Sequence, residues 1–234
     1  MSNNSDKLQG RRKFLTGVGL AAAAATATAA SSAQAASNSN SANNGFTPVR
    51  HDEDAWLDAN SAGHRVFIDT STSSGGVTAL NYASNIMVGH TEGYDDTDES
   101  DIATIICFRH GATPLGYNDA MWGKYGTLFS QMLSLKDQNT DGPFAINPLN
   151  QSEQDFGNRG NTIESLIARG VSYAICRRAT GAFSRRIASA TGGDAEAIFN
   201  ELIANNIPNS RYVPAGVLAA TRSQEYGYSL LYSA

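Results

Sequence analysis

Cys176 is the residue in this chain best suited to chemistry. It closes the apolar run Val171-Ser172-Tyr173-Ala174-Ile175 and is followed at once by Arg177 and Arg178. The end of a buried strand opening into a helix is where doubly wound sheets bind ligands. Helix-end N–H groups and adjacent arginines favour the thiolate, the form of cysteine that attacks sulfur and ligates soft metals. The plainer alternative is a buried cysteine acting as a small hydrophobe. His110 holds the corresponding place after a second apolar run, Ile102–Phe108. If the two runs are neighbouring strands, His110 and Cys176 face one cleft, and the imidazole serves as acid, base or ligand. Otherwise it simply caps its turn.

Two weaker signals belong to the same sheet edge. Asp69 ends a third β run, His64–Thr70, and can line that edge. The loop Ser73-Ser74-Gly75-Gly76 then precedes a helix, where free N–H groups can cradle an anion. The candidate site is therefore Cys176 with His110 for chemistry, and Asp69, Ser74, Gly75, Gly76 and Arg177 for ligand contact. Cys107 lies inside an apolar run and reads as core. Trp122 and Tyr125 read as packing residues, and Arg185-Arg186 as a solvated helix face. No G-x-S-x-G elbow, dinucleotide fingerprint, haem site or zinc spacing is present, so neither a hydrolase nor a cofactor is expected. Two cysteines are too few for a disulfide framework.

The elements that position these residues alternate. Val77–Gly89 has Leu80, Ala83, Ile86 and Met87 on one helical face. Glu92–Asp101 is acidic and reads as a solvated loop. Tyr117–Leu135 is helical, with Gly123 and Gly126 expected to divide it in two. Residues 137–160 are rich in turn formers and are expected to lie near a site or an interface. Helices follow at Thr162–Ala168, Ala179–Ala190 and Asp194–Asn205, the last capped by Asp194. Tyr212–Pro214, Ala215–Glu225 and Tyr226–Tyr232 read as strand, helix and strand. Short buried strands alternating with helices predict an α/β fold: a doubly wound, mostly parallel sheet of about five strands with helices on both faces.

The N-terminus carries a different message. Arg11-Arg12-Lys13-Phe14-Leu15, an Ala-rich run from Val18 to Ala30 and the small-residue site Ala33-Gln34-Ala35 have the layout of a twin-arginine export signal. Residues 1–35 are expected to be the signal, 36–60 a flexible arm whose end Trp56 tucks onto the domain, and 61–234 the folded domain. The destination is the periplasm or beyond. The signal holds four of the 17 basic residues and one of the 22 acidic, so the remainder carries a net charge of −8. That balance argues against nucleic acid and against an anionic membrane surface.

Several of these segments resemble the DsrE/DsrF-like family. They are Gly170-Val171-Ser172-Tyr173-Ala174-Ile175-Cys176, then Val213-Pro214-Ala215-Gly216-Val217, then Gln224 before Gly227-Tyr228. The Arg109-His110-Gly111 turn is similar to the family's H-G turn. The similarity runs from about His64 to Tyr232. It implies a DsrE-like fold, homo- or hetero-oligomers, and a cysteine, here Cys176, that takes a persulfide from a donor protein and passes it to an acceptor. The chain differs in its export signal, in the arginine pair after the cysteine and in the length of 137–160. The expectation is an exported thiol-based sulfur-transfer protein. The alternatives are a non-catalytic module for a small ligand or soft metal, and an interaction subunit with an inert cysteine.

Overall fold

Strand formation follows apolar content. In the computed structural model, which describes residues 47–58, 61–151 and 157–234, the run Ile-Ala-Thr-Ile-Ile-Cys-Phe forms β2 (Ile102–Phe108), buried at every position. A strand apolar on both faces belongs in the middle of a parallel sheet, and β2 lies there. It pairs with β1 (His64–Thr70) on one side and β3 (Ser172–Cys176) on the other. β4 (Ser210–Val213) adds beyond β3, and β5 (Ser229–Ser233) adds beyond β1. All pairings are parallel, in the order β4-β3-β2-β1-β5.

Alternation along the strands sorts their side chains onto two faces. Ile68, Ile106, Phe108 and Tyr173 point to one face. There they pack against α1 (Ser73–Gly93), α2 (Asp119–Leu133), α3 (Ile163–Ile167), α4 (Arg177–Thr191) and α5 (Ala195–Ala204). Phe67, Ile105, Cys107, Ala174 and Val213 point to the other, under α6 (Gly216–Glu225). The strands step from β1 to β4 in one direction, with their connecting helices on the first face. The last connection runs back over the second face to set β5 beside β1. Right-handed crossovers require this change of face when the direction reverses. The chain therefore leaves β3 and β4 toward opposite faces, which opens a crevice at their C-terminal ends.

The second face is completed by residues expected to be a flexible arm. Asp52–Leu57 forms a 3-10 turn, and Leu57 is fully buried against the sheet; that burial contributes about 2 kcal/mol. The Tyr228 hydroxyl donates to the Leu57 carbonyl at 3.1 Å, and Arg222 donates to Asp54 at 2.6 Å. The Arg211 guanidinium sits 4.8 Å over the Trp56 ring. Trp56 thus docks as expected, but the folded body reaches back to Thr47 rather than starting at 61. The arm's boundary is corrected because one apolar anchor and two arginine contacts outweigh a polar composition.

Two further expectations change. α2 is unbroken, since Gly126 receives the Phe144 carbonyl rather than bending the helix. The described part of 137–160 is packing rather than a site. Phe144 and Leu149 are buried in the main core, and the Asn147 side-chain amide donates at 2.8 Å to both the Leu115 and Tyr117 carbonyls. Among the described residues, no helix is long and apolar enough to cross a membrane. The twin-arginine segment lies outside the described residues.

Candidate functional site

Cys176 is the last residue of β3 and also the N-cap of α4. Its Sγ accepts a hydrogen bond from the Ala179 N–H at 3.4 Å. The Thr180 hydroxyl donates to the Cys176 carbonyl at 3.1 Å and accepts from the Tyr117 hydroxyl at 3.1 Å, which fixes the turn from strand to helix. Burial pushes the Tyr117 phenol well above its ordinary range, so it remains a donor. Cys176 is therefore at the sheet rim, as expected, with a helix N-terminal N–H directed at its sulfur. It is nevertheless 7 % exposed. The residue is buried, whereas the sequence predicted an open cleft around it.

Two cavities flank this edge, and Pro214, just past β4, lines both. One, of about 670 Å³, lies between α4 and α5 and includes Arg177. The other, of about 480 Å³, lies between the N-terminal turn, β4 and α6 and includes Trp56 and Arg211. Cys176 lines neither. Its direct neighbour across the sheet is Val213.

His110 does not join Cys176. It is exposed, and among the described residues its side chain makes no hydrogen bond or ion pair. Its backbone is left-handed, φ 51°, at the start of a 3-10 turn, His110–Gly116. The inward place that the sequence reading gave to His110 belongs to Arg109. Arg109 donates through Nε and Nη2 to the two carboxylate oxygens of Asp69, each at 2.7 Å. The left-handed residue opens a 3-10 turn whose Ala112–Gly116 stretch is buried, while the His110 side chain is left in solvent. Among the described residues, no hydrogen bond joins His110 to Cys176.

Asp69 does line the edge, but as the buried partner of Arg109. Beside it the Ser71 and Tyr232 hydroxyls share a 2.6 Å hydrogen bond, and Arg109 lies 5.8 Å over the Tyr232 ring. Nothing in the sequence pattern pointed to this cluster. Asp69, Arg109 and Tyr232 lie far apart along the chain, and only the β1–β2 and β1–β5 registers bring them together.

The anion cradle also changes. Thr72 caps α1, and its hydroxyl accepts from the Gly75 N–H at 2.9 Å while its carbonyl accepts from the Gly76 N–H at 3.0 Å. Both N–H groups are committed. A side chain at Gly75 would come within 2.5 Å of the Ser233 carbonyl, and one at Gly76 would collide with Leu115. The two glycines serve close packing. Ser74 is exposed and hydrogen-bonds Thr72 at 3.0 Å.

Cys107 is core, as expected, and fully buried. Burial pushes its thiol well above the usual range; the nearby charges of Asp69 and Cys176 add to this, and Arg109 partly opposes it. Both cysteines are free thiols. Among the described residues, no three His, Cys, Asp or Glu side chains converge as metal ligands.

Fold and site together define an α/β protein with a doubly wound parallel sheet and a thiol at its strand-end crevice. No family model and no curated protein matches the sequence. Among solved structures, the chain is similar to a protein of unknown function from Methanobacterium thermoautotrophicum. The identity is 12 %, the match covers 72 % of this chain and 98 % of the other, and the TM-score is 0.36.

Proposed function

We propose that this chain is an exported, DsrE-like sulfur carrier whose working group is the Cys176 thiol. The observation that carries the reading is the hydrogen bond from the Ala179 N–H to Sγ, which places the sulfur at a helix N-terminus on the strand-end rim. A thiolate there attacks the outer sulfur of a donor persulfide. A new S–S bond forms at Sγ, the donor's own S–S bond breaks, and the donor leaves as a thiolate. The reverse step loads an acceptor, and no external oxidant is consumed. His110 has no part in this scheme. The donor and acceptor are proteins, the carrier works as an oligomer, and the twin-arginine leader sends it out of the cytoplasm.

The near-burial of Cys176 favours a second reading, in which its sulfur only caps α4. Native-state chemistry separates the two. Incubation with polysulfide, followed by intact mass spectrometry, is expected to add one sulfur atom to the wild type and none to Cys176→Ser. Iodoacetamide at pH 8 is expected to modify Cys176 slowly and to leave Cys107 untouched until the protein is unfolded. An unmodified Cys176 under both treatments establishes the inert cap. Export is tested separately. Fractionation should recover a chain beginning at Ala36 outside the cytoplasm, and Arg11→Lys with Arg12→Lys should retain the precursor inside.

A further inference from the structure

The α4 sequence, RRATGAFSRRIASAT, has four arginines and no acidic residue. It does so in a chain with 22 acidic and 17 basic residues. Among the described residues, none of Arg177, Arg178, Arg185 and Arg186 is held in an ion pair. Three of them, Arg177, Arg178 and Arg185, line the cavity of about 670 Å³ between α4 and α5. One of these heads borders an aromatic ring. The Arg177 guanidinium is 4.8 Å from the centre of the Phe199 ring. A side chain at Gly181 would lie 3.8 Å from the same ring and 3.5 Å from Arg185 Nη1. The bare backbone at Gly181 thus leaves room beside the Arg185 head and the Phe199 ring. Glu196 is the one carboxylate in the lining, so the cavity retains an excess of positive charge.

Clustered like charges weaken a fold, and arginines in the first turn of a helix oppose its dipole. An anion that neutralises them removes that cost. Guanidinium groups match tetrahedral oxyanions through paired N–H donors, and they keep their charge at every physiological pH. The volume falls within the range of small-molecule sites.

We infer that the α4–α5 cavity is an oxyanion site, built for a ligand bearing a phosphate or sulfur-oxyanion group. It is distinct from the thiol chemistry of Cys176, which lines no part of it.

Calorimetric titration of the full chain at about 0.15 M ionic strength, where the Debye length is about 8 Å, tests this with three probes: inorganic phosphate, pyrophosphate and thiosulfate. Saturable binding is expected from at least one. The strongest probe tells whether a phosphoryl or a sulfur oxyanion is preferred. Arg177→Gln and Arg185→Gln should each weaken binding about tenfold, the loss of one charge-assisted contact. Arg186→Gln removes the same charge outside the cavity and should change the affinity less than about twofold. Cys176→Ser should bind as wild type does, so failure of the thiol reading leaves this one standing. Circular dichroism confirms that each variant is folded. The inference is overturned if no probe binds beyond a sodium chloride control of matched ionic strength, or if Arg186→Gln weakens binding as much as the cavity variants do.

Discussion

Asp69→Ala is expected to lower the stability of this protein by about 3 kcal/mol, a fall in melting temperature of roughly 6–12 °C for a domain of this size. Asp69 is 6 % exposed and takes both of its short hydrogen bonds from Arg109. Removing the carboxylate strands a guanidinium that is itself pinned. Any Cβ at Gly216, the first residue of α6, would come within 2.5 Å of the Arg109 Cβ, so the helix start rests on the arginine stem. The Arg109 side chain is 20 % exposed, so most of the stranded charge stays out of water. The double variant Asp69→Ala with Arg109→Met should recover much of the loss, because the penalty comes from one unpaired charge rather than from the absence of the pair. Thermal unfolding checks both. A change of less than about 1 kcal/mol in the single variant would show that water reaches this ion pair freely.

Gly126→Ala should be similarly damaging, against the usual preference of helices for alanine. In an exposed helix interior this change gains about 1 kcal/mol. At Gly126 the added methyl would overlap the Phe144 carbonyl, a backbone atom that cannot rotate aside. The 137–150 segment would have to lift from α2, giving up the hydrogen bond from the Phe144 N–H to the Ser130 hydroxyl at 3.0 Å and the burial of Phe144. A net loss of about 2–3 kcal/mol is expected, in line with overpacking of a filled site. Gly89→Ala is the control. It lies within α1 with nothing within 4 Å of the new methyl, and should be neutral or stabilising by about 0.5–1 kcal/mol. Equal effects at the two positions in chemical denaturation would refute the packing account.

These two sites mark where the sequence could and could not be read. β2 was legible to the residue because a continuous apolar run has one stable place, the middle of a two-sided sheet. The cap of α5 by Asp194 was legible because capping is local: its side chain accepts from the Ala197 N–H at 2.7 Å. The glycines misled in both places where they mattered. Gly75 and Gly76 looked like a turn, and Gly126 like a break. Each is instead a helical position made small by a group from elsewhere in the chain: the Ser233 backbone, Leu115 and the Phe144 carbonyl. Local pattern carries no record of such neighbours. The same holds for the site. Cys176 and its cap could be placed from strand and helix signals alone. The replacement of His110 by Arg109 turned on the left-handed backbone at residue 110 and on a carboxylate 40 positions earlier.

The strand order has a consequence for how this molecule comes into being. β1 and β5, the first and last strands among the described residues, are hydrogen-bonded neighbours, with Val66 opposite Ser229 and Thr70 opposite Ser233. During vectorial synthesis, four strands can assemble as each emerges, but one flank of the oldest strand stays bare until the newest arrives. An open flank of that kind recruits foreign strands, and the long interval between the two partners slows its closure. The nascent polypeptide is therefore most vulnerable to misassembly until β5 has paired with β1.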